Sequence, residues 1–187
     1  ERDDERISFV CILIIKISIG DFNMKRLYLV RHAKSSWNEV GGSDMERPLL
    51  EKGIKRTKKV INYLIENGVK IDKIISSPAE RAFQTAILVA RGLGYPEDKI
   101  QVDRKIYDGY YDRILDLIYA TDNEVNSLMI FGHNPTITHL ANLFLHPGVE
   151  LLPTTGTVCI AFDTDKWESI PSVEPVNEFI IFPKLLK

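Results

Sequence analysis

Arginine and histidine side chains occur at three separate places where a short apolar run of the sequence ends. Arg31 and His32 follow RLYLV, Arg81 comes shortly after KII, and His133 follows SLMIFG. A guanidinium group binds phosphate oxygens through a planar fork of donors, and a neutral imidazole nitrogen has a free lone pair. This combination suits phosphoryl transfer through a phosphorylated histidine.

Two other interpretations of these residues are possible. A catalytic zinc ion normally takes three protein ligands, and the remaining histidines, His139 and His146, are predicted to point away from the site. Alternatively, each residue is structural, since a lone histidine is usually hydrogen-bonded and a lone arginine is usually solvated or ion-paired. The structural interpretation loses weight because three junctions carry the same chemistry. We expect no cofactor, and a metal site is disfavoured because it would need a third protein ligand.

Other residues near these junctions are weaker candidates for binding substrate. Ser77 precedes the helix that carries Arg81, and Asn134 follows His133 directly. Arg47 either joins the phosphate site or pairs with Asp44 or Glu46. We include Arg47, Ser77 and Asn134 as candidate substrate-binding residues.

The elements that must position these residues alternate between strands and helices. Short β-prone runs predict strands at 26–30, 73–75, 127–131, 158–162, 167–170 and 178–182. Amphipathic spacing predicts helices at 49–67, 80–93, 111–119 and 135–145, with Asn134 as the N-cap of the last and Gly68 capping the end of the first. Residues 38–47 are polar and predict a loop.

This alternation predicts an α/β fold with a mostly parallel, doubly wound sheet and helices on both faces. Ligands bind such sheets beyond the carboxyl ends of the strands, where the three junctions would meet. The 187 residues suffice for a single domain with a full core.

Composition excludes several other classes of protein. The chain has 24 Lys and Arg against 26 Asp and Glu, so its net charge of -2 gives no basic surface for nucleic acid. Cys11 and Cys159 match neither a disulfide framework nor a metal-ligand spacing, which favours a reducing, cytoplasmic location.

The first 23 residues differ from the rest of the chain. Residues 7–19 are largely apolar, but they are too few to span a bilayer and Lys16 interrupts them. Met24 then begins a segment that resembles the natural start of a protein chain. We interpret 1–23 as an upstream extension that need not be native, or alternatively as an added edge strand, and 24–187 as the functional domain.

Four motifs resemble those of a known family, in the family's order. LYLVRHAKSSW, DMERPLLEKG, SSPAERAFQTA and FGHNP resemble the small, SixA-like phosphohistidine phosphatase branch of the histidine phosphatase superfamily, whose fold is phosphoglycerate mutase-like. The resemblance implies that His32 is the nucleophile and that Arg31, Arg81 and His133 form the phosphate pocket. It also implies that Arg47 can join them and that no metal is used.

One departure from the family bears on the substrate. Larger members use a glutamate as proton donor before the strand of the second histidine, but no Glu occurs between Glu97 and Glu124. Asp108 is the best-placed candidate proton donor. Cleavage of a P–O bond expels an alkoxide that needs a strong acid, whereas the imidazole expelled from phosphohistidine can already be protonated. A phosphoramidate substrate can therefore do without the glutamate.

These observations predict a phosphatase that hydrolyses phosphohistidine on a protein. The chain lacks long insertions that would build a lid, which favours a side chain presented by a protein over a buried metabolite. The alternatives are a phosphatase of a small phosphomonoester and a non-catalytic phosphoprotein-binding module, although a binding module would not need His32. We expect a monomer with no nucleic-acid or membrane partner.

Overall fold

The computed structural model describes residues 24–37 and 43–186. The predicted extension at 1–23 lies outside the described residues, as do positions 38–42 of the predicted loop. Within the described part of the chain, no helix is long and apolar enough to cross a membrane.

Six strands form one mixed sheet in the order β3-β2-β4-β1-β5-β6. The strands are β1 Met24–Arg31, β2 Lys73–Ser76, β3 Gln101–Val102, β4 Ser127–Gly132, β5 Thr157–Asp163 and β6 Pro175–Ile181. The pairs β3-β2, β2-β4 and β4-β1 are parallel, while β1-β5 and β5-β6 are antiparallel. The predicted α/β fold is confirmed, with two antiparallel strands added to its parallel half.

Helices cover both faces of the sheet, as predicted. They are α1 Glu51–Glu66, α2 Glu80–Leu93, α3 Tyr111–Tyr119 and α4 Thr136–Asn142. Side chains of a strand alternate between faces, so Tyr28 and Val30 of β1 pack in the core with α1 and α2. Leu27 and Leu29 pack in the opposite core with α3 and α4. The sheet is therefore buried on both sides and forms a rigid base for the residues at its edge.

Two predicted elements differ from the structure. Residues 167–170 form part of a 3-10 helix, Trp167–Ser172, instead of a strand. Trp167 is fully buried and its Nε1 donates to the Val125 carbonyl at 2.7 Å, which fixes this segment under the sheet as a compact turn. Pro171 cannot donate to a strand ladder, which also disfavours a strand.

The helix predicted at 135–145 is shorter, because it spans only Thr136–Asn142, and Asn134 does not cap it. The Asn134 amide is instead bonded to Leu152 O at 2.8 Å and accepts from the Thr138 hydroxyl at 2.8 Å. The Asn142 side chain ties the far end of the helix to Val149.

The strand register brings the three arginine and histidine junctions to one edge. Arg31 of β1 is paired with Gly132 of β4, and Ser76 of β2 is paired with Phe131. A Cβ on Gly132 would lie 2.8 Å from the Ile137 side chain, so glycine lets α4 pack closely against this strand end. The residues after β1, β2 and β4 therefore meet at the carboxyl edge of the parallel strands.

Candidate active site

His32 follows β1 directly and its ring is almost fully buried, at 9% exposure. Its backbone N–H donates to Gly132 O at 3.0 Å, which holds it beside the end of β4. Its ring Nδ1 lies 2.7 Å from the Ala33 carbonyl oxygen. A carbonyl oxygen only accepts hydrogen bonds, so Nδ1 carries the proton in a neutral ring and Nε2 carries the free lone pair.

The surroundings of His32 keep the ring neutral. Burial lowers the pKa of His32 to about 4, against the opposing hydrogen bond to Ala33, and the charges of Arg81 and Arg31 lower it further. A histidine with this pKa is neutral at physiological pH, as a nucleophile must be.

Arg31 and Arg81 lie beside His32 in the same cleft of about 250 Å³. Arg31 Nη1 donates to Leu152 O at 2.8 Å, and burial lowers the pKa of this guanidinium. Thr85 connects the two junctions, since its hydroxyl accepts from Ala33 N at 3.0 Å and donates to Arg81 O at 2.6 Å. Among the described residues, the Nε atoms of Arg31 and Arg81 are buried without a hydrogen-bond partner.

His133 faces His32 across the cleft, with ring centroids 5.2 Å apart. Its Nε2 is 2.8 Å from the hydroxyl of Ser77, whereas its Nδ1 is buried and has no partner within 24–37 and 43–186. Burial lowers the pKa of His133 to about 3, and His32 and Arg81 contribute to the decrease. The ring is therefore neutral, and its free nitrogen is positioned to contact a ligand.

Arg47 reaches the same cleft from the segment before α1. Its Nε donates to Ser36 O at 2.6 Å and its Nη2 to Ser35 Oγ at 3.1 Å. Its guanidinium lies 4.0 Å from the ring centroid of Trp37, which is 76% exposed. Arg47 also pairs with Asp44 at 2.8 Å, as one of the alternatives had it, and its contact with phosphate stays a prediction.

Asp44 is a residue of the site that the sequence analysis considered only as a partner of Arg47. Its carboxylate also accepts from Arg81 Nη2 at 3.0 Å and from the Tyr107 hydroxyl at 3.0 Å. These bonds, that of Arg47 foremost, lower the pKa of Asp44 to about 2. The three-residue spacing of Asp44 and Arg47 is visible in the sequence, but the contact with Arg81 depends on tertiary packing.

The remaining candidates lie around the cleft. Ser77 is fully buried and contacts His133, while Asn134 lines the cleft and is bonded to Leu152 and Thr138. Asp108 is 3.7 Å from both Arg104 and Arg113, and it is not among the described residues that line the cleft. The role of Asp108 as a proton donor stays a prediction.

Within the described ranges, no three His, Cys, Asp or Glu side chains are grouped as a metal ion would require. The chemistry available from the described side chains is that of two neutral imidazoles and three guanidinium groups, which together suit a phosphoryl group.

A family model matches part of the sequence that carries this site. Residues 27–114 match the model of the histidine phosphatase superfamily, branch 1, a span that contains His32, Arg47 and Arg81. The chain belongs to the histidine phosphatase superfamily. Arg31, His32, Arg81 and His133 are the residues of this histidine phosphatase that the structure brings together, as the sequence predicted.

Curated relatives of this histidine phosphatase differ in their descriptions. An uncharacterized protein of Mycobacterium tuberculosis is 30% identical over 112 residues, which is 60% of this chain and 67% of the relative. Phosphoserine phosphatase 1 of Hydrogenobacter thermophilus is 35% identical over 92 residues, covering 46% of this chain and 43% of that protein.

Solved structures of SixA proteins share the fold of this histidine phosphatase. A SixA of Agrobacterium tumefaciens is 28% identical with a TM-score of 0.68, covering 83% of this chain and 97% of that one. The protein histidine phosphatase SixA complexed with tungstate has a TM-score of 0.74 at 24% identity, covering 87% and 99%. The predicted phosphoglycerate mutase-like fold is confirmed.

Proposed function

We propose that this protein hydrolyses phosphohistidine on another protein through a phosphorylated His32. The observation that carries the proposal is the bond from His32 Nδ1 to Ala33 O, which leaves the lone pair on Nε2 of a neutral ring. A binding module would gain nothing from a nucleophile prepared in this way.

The reaction proceeds in two displacements at phosphorus. Nε2 of His32 attacks in line, a new P–N bond forms, and the P–N bond to the substrate imidazole breaks. The expelled imidazole leaves with the proton that it already carried, and Arg31 and Arg81 offset charge on the equatorial oxygens. Water then attacks phospho-His32, the P–N bond breaks, and orthophosphate leaves as Nε2 regains its lone pair.

His133 serves as a donor to the phosphoryl group in this proposal. The Ser77 hydroxyl donates to Nε2 of His133 at 2.8 Å in the tautomer that places the proton on Nδ1. That Nδ1 is the buried ring atom without a partner among the described residues. Ser77 thus positions the donor, and the phosphoryl group supplies its acceptor.

The choice of phosphohistidine rests on the leaving group. No Glu occurs between Glu97 and Glu124, and Asp108 pairs with Arg104 and Arg113 at 3.7 Å. A site without a strong general acid favours a leaving group that departs unaided. The fold shared with a protein histidine phosphatase supports a substrate presented by a protein.

Hydrolysis of a small phosphomonoester is the second candidate. The relative from Hydrogenobacter thermophilus, 35% identical over 92 residues, is a phosphoserine phosphatase. This similarity favours a common phosphate pocket, whereas the proton donor distinguishes the two substrate classes.

A panel of substrates separates these candidates. We expect kcat/KM to be highest for a phosphohistidine peptide, lower for aryl phosphates and lowest for phosphoserine, because the leaving groups need increasing help. Asp108→Asn serves as the matched variant, since loss of a residual donor would slow alkyl phosphates more than phosphoramidates. Preference for phosphoserine or a sugar phosphate over every phosphoramidate would overturn the proposal.

A further inference from the structure

The Asp44 carboxylate accepts hydrogen bonds from two arginines of the proposed phosphate pocket, Arg47 and Arg81. Oδ1 is 2.8 Å from Arg47 Nη1, and Oδ2 is 3.0 Å from Arg81 Nη2. Arg81 Nη1 is bonded to the backbone carbonyl of the same residue at 2.5 Å. Both terminal nitrogens of Arg81 are therefore bonded to Asp44.

We infer that Asp44 is a specificity-determining residue, an internal anion that a phosphoryl group must displace from Arg47 and Arg81. The inference rests on the proposed function, because it takes the pocket of these arginines as the phosphate site. Carboxylates and phosphates compete for the same planar fork of guanidinium donors. A ligand with one charge gains little by replacing a carboxylate, whereas a phosphoryl dianion brings a second charge and a third oxygen.

The segment that carries Asp44 allows this displacement. Asp44 begins the short 3-10 helix Asp44–Glu46, which contains no buried residue. The Asp44 side chain is 51% exposed, while that of Arg81 is only 7% exposed. The arginine is held by the fold and the carboxylate by its ion pairs, so the carboxylate is the partner that moves. The Tyr107 hydroxyl also donates to Oδ2 of this carboxylate, at 3.0 Å.

A positioning role for Asp44 makes the opposite prediction. If the carboxylate served to orient Arg47 and Arg81 for phosphate, its removal would weaken binding of phosphate. If it competes with phosphate, its removal strengthens binding. The affinity for inorganic phosphate therefore distinguishes the two roles by its direction.

The test is isothermal titration of inorganic phosphate into the full chain at constant ionic strength. We expect Asp44→Asn to bind phosphate about tenfold more tightly than the unaltered protein, because exposed ion pairs of modest strength are removed. Glu46→Gln is the matched control, since Glu46 is bonded to Ser43 and to neither arginine, and its affinity should equal that of the unaltered protein.

Acetate provides the second arm of the experiment. It should compete with phosphate in Asp44→Ala, whose pocket lacks the internal carboxylate, and have little effect on the unaltered protein. Unchanged or weaker phosphate binding in both Asp44 variants would overturn the inference. Failure of the proposed function has a different signature, namely absence of phosphohistidine hydrolysis by the unaltered protein. A gain in phosphate affinity in Asp44→Asn without such hydrolysis would support the inference and reject the proposed function.

Discussion

The two ends of strand β1 bury polar side chains in opposite ways. At its start, Lys25 is 1% exposed, and its Nζ donates to Asn123 O at 2.6 Å, Val125 O at 3.1 Å and Asn126 Oδ1 at 2.9 Å. All three donors of the ammonium group are used. At its end, the buried Nε of Arg31 has no partner among the described residues, and neither does Nδ1 of the facing His133.

This difference separates a structural polar cluster from a binding site. An unsatisfied buried donor costs about 1–3 kcal/mol, so a fold keeps one where another requirement outweighs stability. The Lys25 end is complete without a ligand and stabilises the fold. The His32 end lacks partners that a phosphoryl group would supply, which marks it as the functional edge.

Removal of the nucleophile gives the largest expected effect at the functional edge. His32→Ala should lower kcat at least about 10³-fold while the protein stays folded, since the ring supplies the atom that forms the covalent intermediate. His139→Ala is the control, because His139 lies on α4 with an exposed side chain. Steady-state kinetics and circular dichroism test both variants, and an unaltered rate in His32→Ala would remove His32 from the mechanism.

Arg81→Lys should have the next largest effect, because lysine keeps the charge but loses the planar fork. The expected loss of transition-state stabilisation is about 2–4 kcal/mol, by analogy with the loss of one oxyanion donor. Arg91→Lys, on the same helix but 64% exposed and paired with Glu97, is the matched control. Comparison of kcat/KM for the two variants measures the effect, and equal activity would place Arg81 outside the site.

A substitution at the opposite end of β1 should change the stability of the protein instead of its activity. Lys25→Met leaves the Asn123 carbonyl and the Asn126 Oδ1 without their donor, while the Val125 carbonyl keeps its bond from Trp167. We therefore expect the free energy of unfolding to fall by about 3 kcal/mol. Turnover per folded molecule should stay unchanged. Lys55→Met, at a position 75% exposed, should leave stability nearly unaltered. Urea denaturation measures both, and a stable Lys25→Met protein with impaired turnover would reverse the assignment of the two ends.

The smallest expected effect is that of pH on the protonation state of His32 in the unaltered protein. The pKa of His32 is lowered to about 4, so the neutral, nucleophilic ring persists as the pH falls from 8 to 5 and is lost only near pH 4. Below its ordinary pKa the same shift disfavours the folded state, because the unfolded chain binds a proton that the buried ring excludes. Histidine ring signals in NMR spectra report the midpoint, and a value at or above 6.5 would contradict the burial argument.

Local sequence patterns predicted helices with their observed bounds, including the helix that carries Arg81. Helices α2 and α3 have the predicted bounds because amphipathic spacing and neighbouring turn residues are local signals. The meeting of His32, Arg81 and His133 was predictable because each follows a parallel strand, and the carboxyl ends of such strands share one edge.

Features that depend on tertiary packing were not predictable in this way. The 167–170 segment has a strand-like composition, yet burial of Trp167 bends it into a 3-10 helix. The contact of Asp44 with Arg81 spans 37 positions and depends on how the segment Asp44–Glu46 packs against α2. Neither feature leaves a periodic signal in the sequence.

Trapping of the phosphoenzyme tests the central claim most directly. A phosphohistidine peptide is mixed with the protein, turnover is quenched without acid, and the phosphorylated position is determined by mass spectrometry and phosphorus NMR. The bond from Nδ1 of His32 to Ala33 O predicts an acid-labile, alkali-stable phosphoryl group on Nε2 of His32. A phosphoryl group on His133, or turnover with no phosphoenzyme at any time point, would contradict the account.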